Sequence, residues 1–232
     1  MEPKGLKVII TGSTGMVGEG VLLVCLRDPD IEKILVINRR PLGITHPKLT
    51  EIIHENFYDL SPIESQLSGY DACFFCLGVS SVGMKMDKYF KVTYELTMHF
   101  GETVSRLNKD MVFIYVAGAG TDGTEKGRVE WARIKGKTEN DLMKLPFRKA
   151  YGYRPGFIKP VKGQKNSHSF YKVVNWTFPI GKKLSPDFFS TMEELGLSMI
   201  RLARTDYPKN IIYGKDIARL AEEQKASEEK NQ

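Results

Sequence analysis

A chain of 232 residues, 41% hydrophobic, has enough apolar material for one full core and suits a single α/β domain with a small C-terminal elaboration rather than two independent domains. Its net charge of +6 is dispersed, with Asp and Glu between the Lys and Arg, which discounts a nucleic-acid role. Residues 1–5 lead straight into a strand with no room for a signal peptide, and no uninterrupted apolar stretch is long enough to span a bilayer, so the expected compartment is the cytoplasm.

The first expected element is a strand near residues 6–11, built on Leu6-Lys7-Val8-Ile9-Ile10. Thr11-Gly12-Ser13-Thr14-Gly15-Met16-Val17-Gly18 follows at once and opens a helix from about Met16 to Arg27, which stops before Asp28-Pro29. A strand, a glycine-rich turn and a helix start in this order form a dinucleotide-binding fingerprint. Gly12 permits the tight turn, Gly15 lets backbone approach a pyrophosphate, and Gly18 lets the helix pack on the strand. The helix N-terminus adds free N–H groups and a positive dipole end, so Gly12, Ser13, Thr14, Gly15, Met16 and Val17 form the expected phosphate cradle.

A second strand near residues 34–38 ends at Asn38-Arg39-Arg40, where an NAD site would place an Asp or Glu for the ribose hydroxyls. With no carboxylate at that strand end, and with guanidinium groups able to bind a 2′-phosphate through charge-assisted hydrogen bonds, Arg39 and Arg40 favour NADP(H), Arg39 being the closer to the strand.

Further strands are expected near residues 50–54, 71–77, 111–117 and 150–154, alternating with helices over about Asp87 to Asn108 and Trp131 to Lys144. The alternation predicts a doubly wound parallel sheet, the Rossmann arrangement, over residues 1–158. Cys25 falls in the first helix. Cys73 and Cys76, three residues apart in one strand, point to opposite faces, which argues against a bridge or a metal clip and makes all three buried structural cysteines. Lys135 lies one turn after Trp131 and shares its face.

After Arg154-Pro155-Gly156 the alternation stops, and residues 159–224 are expected to form a helical, substrate-facing lobe. Within it the amphipathic segment Phe170 to Phe178, with Tyr171, Val174 and Trp176, is expected to pack over the nucleotide fold rather than touch a membrane. Thr191-Met192-Glu193-Glu194 is a capping-box signature that opens a helix to about Arg204. The polar tail 225–232 is expected to fray.

Thr11-Gly12-x-x-Gly15-x-x-Gly18, Asn38-Arg39-Arg40, Asp59-Leu60, Cys76-Leu77-Gly78, Trp131-x-x-x-Lys135-Gly136 and Arg154-Pro155-Gly156, in this order, resemble the extended and atypical short-chain dehydrogenase/reductases, especially small epimerase-like proteins and the Tat-interacting-protein branch. The resemblance implies that Asp59 bonds the adenine amino group, with capping of the turn at Leu60-Ser61-Pro62 as its alternative role. It further implies that Leu77 and Gly78 line the adenosine, and that a homodimer forms through helices.

Catalytic members of that superfamily use Tyr-x-x-x-Lys and a Ser at the end of the fifth strand. Here Lys135 matches the lysine, which holds the cofactor ribose. The tyrosine position is Trp131, whose indole N–H donates a hydrogen bond but releases no proton at physiological pH. The serine is absent from Ala117 and Gly118. Lys135 itself, Tyr153, Tyr115 and Ser80 are the alternative proton donors. Two readings follow: an NADP(H)-dependent oxidoreductase or epimerase-like enzyme acting on a small carbonyl or sugar-like substrate with a non-standard proton donor, or a non-catalytic NADP(H) sensor or scaffold.

Overall fold

The structure, a computed structural model, describes residues 5–166 and 178–230. Its first half runs β1 (Leu6–Thr11), α1 (Met16–Arg27), β2 (Ile31–Asn38), β3 (Leu49–Ile53) and β4 (Ala72–Phe75). A helical stretch follows as α2 (Met86–Phe90), a π-helical turn (Lys91–Glu95) and α3 (Leu96–Leu107). The chain continues through β5 (Val112–Val116), α4 (Glu130–Leu142), β6 (Lys149–Tyr153), β7 (Phe157–Lys159), α5 (Phe178–Leu184), β8 (Phe189–Thr191), α6 (Met192–Arg204), β9 (Ile211–Ile212) and α7 (Gly214–Lys230).

Seven strands form one sheet in the order β3-β2-β1-β4-β5-β6-β9, with every pairing parallel. The two-residue period of a strand sends alternate apolar side chains to opposite faces. Val8, Ile10, Ile34, Val36, Phe74 and Ile114 enter one layer with α1, α6 and α7. Ile9, Leu35, Ile37, Cys73, Phe75 and Phe113 enter the other, against Phe57, Phe100, Val104 and Leu142. A sheet buried on both faces explains why these strands read as continuous apolar runs. The doubly wound α/β expectation therefore holds, and the order reverses between β1 and β4, the switch point at which such sheets open a crevice beyond the strand ends.

The C-terminal part of the chain departs from expectation. Beyond the capping box, in which Thr191 Oγ1 accepts from Glu194 N at 3.1 Å and Glu194 Oε2 accepts from Thr191 N at 2.8 Å, the chain adds β9 to the main sheet beside β6. Residues 225–230, expected to fray, are the last turns of α7. That helix buries Ile217, Leu220, Ala221 and Gln224, and Gln224 Nε2 donates to Asp30 Oδ2 at 2.8 Å. None of residues 225–230 is buried, which is why the composition of these turns reads as solvated. Of the segment Phe170 to Phe178, only Phe178 falls among the described residues, where it is buried at the start of α5. Tyr171, Val174 and Trp176 lie outside them.

Candidate functional site

The glycine turn after β1 closes as its sequence requires. Gly12 adopts φ +68°, and a Cβ there would come within 2.8 Å of the Cys76 carbonyl and Leu77 Cα, so β1 and β4 approach too closely for any side chain. At Gly18 a Cβ would stand 2.2 Å from the Gly12 carbonyl oxygen, which fixes α1 against the turn. Gly15 differs: its nearest neighbour is that same oxygen at 3.3 Å, and the space beyond is open. Two glycines thus pack the turn, while the third leaves a surface that a ligand can approach.

Ser13 is buried, and its hydroxyl donates to Asn38 Oδ1 at 2.8 Å. Asn38 Nδ2 in turn donates to Glu51 Oε1 at 2.8 Å, and the same oxygen accepts from Leu42 N at 2.9 Å. This relay ties the ends of β1 and β2 together and projects Arg39 and Arg40 outward. Both arginines are exposed, and among the described residues neither guanidinium makes a hydrogen bond or ion pair. They line a cavity of about 770 Å³ with Thr14, Pro41, Leu42, Glu55 and Asn166.

A second cavity of about 200 Å³ adjoins the first, sharing Thr14, Arg39 and Glu55 with it. Gly12, Ile37, Asn38, Phe57, Tyr58, Leu77, Gly78, Val79, Val92 and Leu96 complete its wall. Gly12, Thr14, Arg39, Arg40, Leu77 and Gly78 are therefore gathered around one crevice at the switch point. Met16 and Val17 form the first turn of α1 beside it, half-buried.

Asp59 lines neither cavity. Its Oδ1 accepts from Ser61 N at 3.1 Å and Ser61 Oγ at 2.6 Å, and these bonds hold the carboxyl below its usual range. Glu55, Phe57 and Tyr58 stand where Asp59 was expected. The first stands two residues after β3, and the rule that ligands meet C-terminal strand ends reaches it as readily as Arg39. Asn166 arrives from far along the chain and carries no local signal.

Lys135 projects from α4 toward the end of β5, where its Nζ donates to the Ala117 carbonyl at 2.6 Å. Burial lowers its pKa, with Glu139 one turn on pulling it back up. Glu139 is itself fully buried and paired with Arg154, whose Nε donates to Glu139 Oε2 at 3.1 Å and whose Nη1 donates to Tyr213 Oη at 3.1 Å. Trp131 covers the turn after β5, its Cη2 lying 3.0 Å from where a Gly120 Cβ would be.

Both tyrosines put forward as proton donors are buried in the core. Tyr153 is 0% and Tyr115 3% exposed, and burial pushes both phenols far above their ordinary value. The Tyr153 hydroxyl donates to Ser198 Oγ at 3.3 Å, inside the core. Ser80 lies on the exposed loop after β4, its Oγ accepting from Val82 N at 3.2 Å. The sequence showed that these residues carry hydroxyls but not that β5 and β6 turn both rings into packed layers.

Comparisons with known proteins bear on this arrangement. No protein-family model matches the chain. The chain is similar to "Protein FMP52-2, mitochondrial" of Scheffersomyces stipitis, 25% identical over 229 residues that cover 91% of this chain and 96% of that relative. Among solved structures it is similar to the ADP-L-glycero-D-manno-heptose-6-epimerase of Helicobacter pylori, at 15% identity and TM-score 0.65, covering 96% of this chain and 82% of that one. It is also similar to the Bordetella bronchiseptica enzyme WbmF in complex with NAD+, at 16% identity and TM-score 0.62, covering 97% of this chain and 79% of that one. A short chain dehydrogenase from Burkholderia cenocepacia in complex with NADP matches at 13% identity and TM-score 0.60, covering 100% of this chain and 97% of that one. The chain shares with these structures a Rossmann-like α/β fold, a parallel sheet covered by helices on both faces. Within it the glycine turn, the arginine pair and Lys135 sit on the C-terminal edge of the sheet.

The cytoplasmic expectation is overturned, because the curated relatives carry mitochondrial names. Compartment is read from targeting signals by receptors, and the α/β core itself carries no imprint of it. No helix among the described residues is long and apolar enough to cross a membrane.

Proposed function

We propose that this chain binds NADP(H) and acts as an oxidoreductase or epimerase-like enzyme of the atypical short-chain dehydrogenase kind, on a small carbonyl or sugar-like substrate. The observation that carries the reading is the pair of exposed guanidinium groups, Arg39 and Arg40, which line a cavity with Thr14 at the mouth of the glycine turn. Two exposed cations with no partner among the described residues, beside an open glycine surface and a helix N-terminus, fit a ligand with several phosphates.

In this reading the backbone of Gly12 to Val17 holds the diphosphate, and Arg39, Arg40 and Thr14 take the 2′-phosphate. Leu77 and Gly78, with Phe57, Tyr58, Val92 and Leu96, enclose the adenosine. We assign Asp59 to its turn with Ser61 rather than to the adenine. When bound, a nicotinamide dinucleotide supplies or accepts a hydride. Lys135 holds the ribose and gives a proton to the substrate oxygen, a role that its burial-lowered pKa assists. We place the protein in mitochondria on the naming of its relatives.

Calorimetric titration with NADPH and NADH, repeated on Arg39→Ala and Lys135→Met, tests the reading. Tight NADPH binding that weakens in Arg39→Ala supports it, and binding of neither nucleotide removes it.

The burial of Tyr115 and Tyr153, together with Trp131 over the turn, favours a second reading in which the bound dinucleotide regulates a partner without a chemical step. That reading requires partner affinity to differ between NADP+ and NADPH, since a ligand shifts an equilibrium only through differential affinity.

A further inference from the structure

Glu19 lies in the first turn of α1 with 3% exposure, and it enters no ion pair among the described residues. A carboxylate so placed is costly unless its oxygens are satisfied. Here they accept two backbone N–H groups from far along the chain, Lys165 N at 2.9 Å and Asn166 N at 2.7 Å. The same turn of helix is gripped a second time, since Gln164 Nε2 donates to the Met16 carbonyl at 2.6 Å. Gln164 is braced in turn by Val161, whose N–H donates to Gln164 Oε1 at 3.3 Å.

These bonds lay residues 164–166 across the start of the helix that follows the glycine turn. Asn166 is the last of them, and its exposed side chain joins Thr14, Arg39 and Arg40 in the wall of the larger cavity. An apolar residue at position 19 would fill the same space without the desolvation cost. The carboxylate adds an anchor for two amides that no apolar group provides.

We propose that Glu19 is a positioning residue that pins residues 164–166 on α1 so that Asn166 becomes part of the phosphate end of the dinucleotide cleft and a determinant of NADPH over NADH preference. The amide Nδ2 of Asn166 is a hydrogen-bond donor of the kind a 2′-phosphate oxygen accepts. This inference rests on the NADP(H) reading of the cleft.

The test compares the full chain with Glu19→Gln, Asn166→Ala and the double variant by calorimetric titration with NADPH and with NADH, and follows amide hydrogen exchange over residues 161–166 without nucleotide. Asn166→Ala should weaken NADPH binding about tenfold and NADH binding less than about twofold, the scale of one hydrogen bond to a charged group. Glutamine keeps one acceptor oxygen for two N–H groups, so Glu19→Gln should speed exchange at residues 165 and 166 and lower the NADPH to NADH affinity ratio. The double variant should be no worse than Asn166→Ala alone, because Glu19 acts through Asn166.

An unchanged affinity ratio in Asn166→Ala overturns the proposal while leaving the NADP(H) reading intact, and that variant, being a surface change, keeps the test decisive if Glu19→Gln does not fold. Additive losses in the double variant overturn the coupling. If the unsubstituted chain binds neither nucleotide, the reading of the cleft fails and the inference falls with it.

Discussion

Lys135 donates its ammonium to the carbonyl of Ala117 at 2.6 Å, which anchors it at the strand end where a serine was expected and none stands. Its pKa lies below the ordinary lysine value because it is buried. If the ammonium is the proton donor, turnover is present while Lys135 is protonated and is lost as pH rises through that lowered pKa. The pH profile of kcat/KM for NADPH-dependent carbonyl reduction should therefore fall on its alkaline side below pH 10.5, the reference value for lysine. Lys135→Arg separates the two roles: a guanidinium keeps the charge that holds the ribose but does not release its proton. Nucleotide affinity should stay within about threefold while turnover drops by roughly 100-fold or more. Turnover that survives in Lys135→Arg would move the proton source elsewhere.

Arg39 and Glu55 line both cavities and bring opposite charges to the place where the proposed 2′-phosphate would sit. Arg39→Ala should weaken NADPH binding by roughly 10- to 100-fold, the scale of hydrogen bonds to a charged partner, and leave NADH nearly unchanged. Glu55→Gln should act the other way, strengthening NADPH binding by a few-fold at low salt and by less as salt screens the pair. Titrations at two ionic strengths check both directions, and a Glu55→Gln effect equal for the two nucleotides would place that carboxylate away from the 2′-phosphate.

What the sequence made legible was local. β1, the glycine turn and α1 are contiguous, and each residue type there has one physical task, so the fold class and the close packing of the glycine turn could be read directly. Arg39 was legible for the same reason, as the end of a strand whose place beside β1 is fixed by the βαβ rule. Asn166 and the Tyr153 hydroxyl were not, because their surroundings depend on contacts across the fold. β9 has two residues and no periodicity to detect, and the last turns of α7 were hidden by a composition that reads as solvated.

Glu139 and Arg154 form an ion pair with side-chain exposures of 0% and 11% behind Lys135. Burial pushes the Glu139 carboxyl up, while Arg154 and then Lys135 pull it down. Removing one partner strands the other charge in the interior, so Glu139→Ala should cost about 3–5 kcal/mol of stability. Glu139→Met combined with Arg154→Met should cost clearly less than the sum of the two single changes, since no orphan charge remains. Urea denaturation of the four proteins gives the coupling, and simple additivity would mean that the two residues act independently.

Gly18 and Gly15 separate packing from ligand approach. Gly18→Ala places its methyl 2.2 Å from the Gly12 carbonyl oxygen and should destabilise the chain by about 1–3 kcal/mol, with nucleotide binding lost alongside. Gly15→Ala meets only that oxygen, at 3.3 Å, so its stability should stay within about 1 kcal/mol while nucleotide affinity falls. Thermal melting paired with titration distinguishes them. Equal melting losses in both variants would make Gly15 a packing residue like its neighbour.

Asp28 ends α1 at 4% exposure, its Oδ1 accepting from Asp30 N at 2.8 Å. Burial pushes its carboxyl up to about 7, and the nearby Glu228 carboxylate of α7 and Asp30 push the same way against the Asp30 N–H. Around it lie Lys48, whose Nζ donates to the Asp28 carbonyl at 2.6 Å, Gln224 of α7 on Asp30, and Arg204 of α6, whose Nε is 3.3 Å from Asp30 Oδ2. A folded-state pKa above the unfolded value means that the stabilisation is fully present below about 3.8, the unfolded value, and is lost as pH rises through about 7. Asp28→Asn mimics the protonated carboxyl at every pH. It should match the unsubstituted chain near pH 4, become the more stable of the two as pH rises toward 7, and keep a constant advantage above that. Urea denaturation midpoints from pH 4 to 9 measure this gap, and a gap that does not change with pH would show that Asp28 is ionised in the fold throughout.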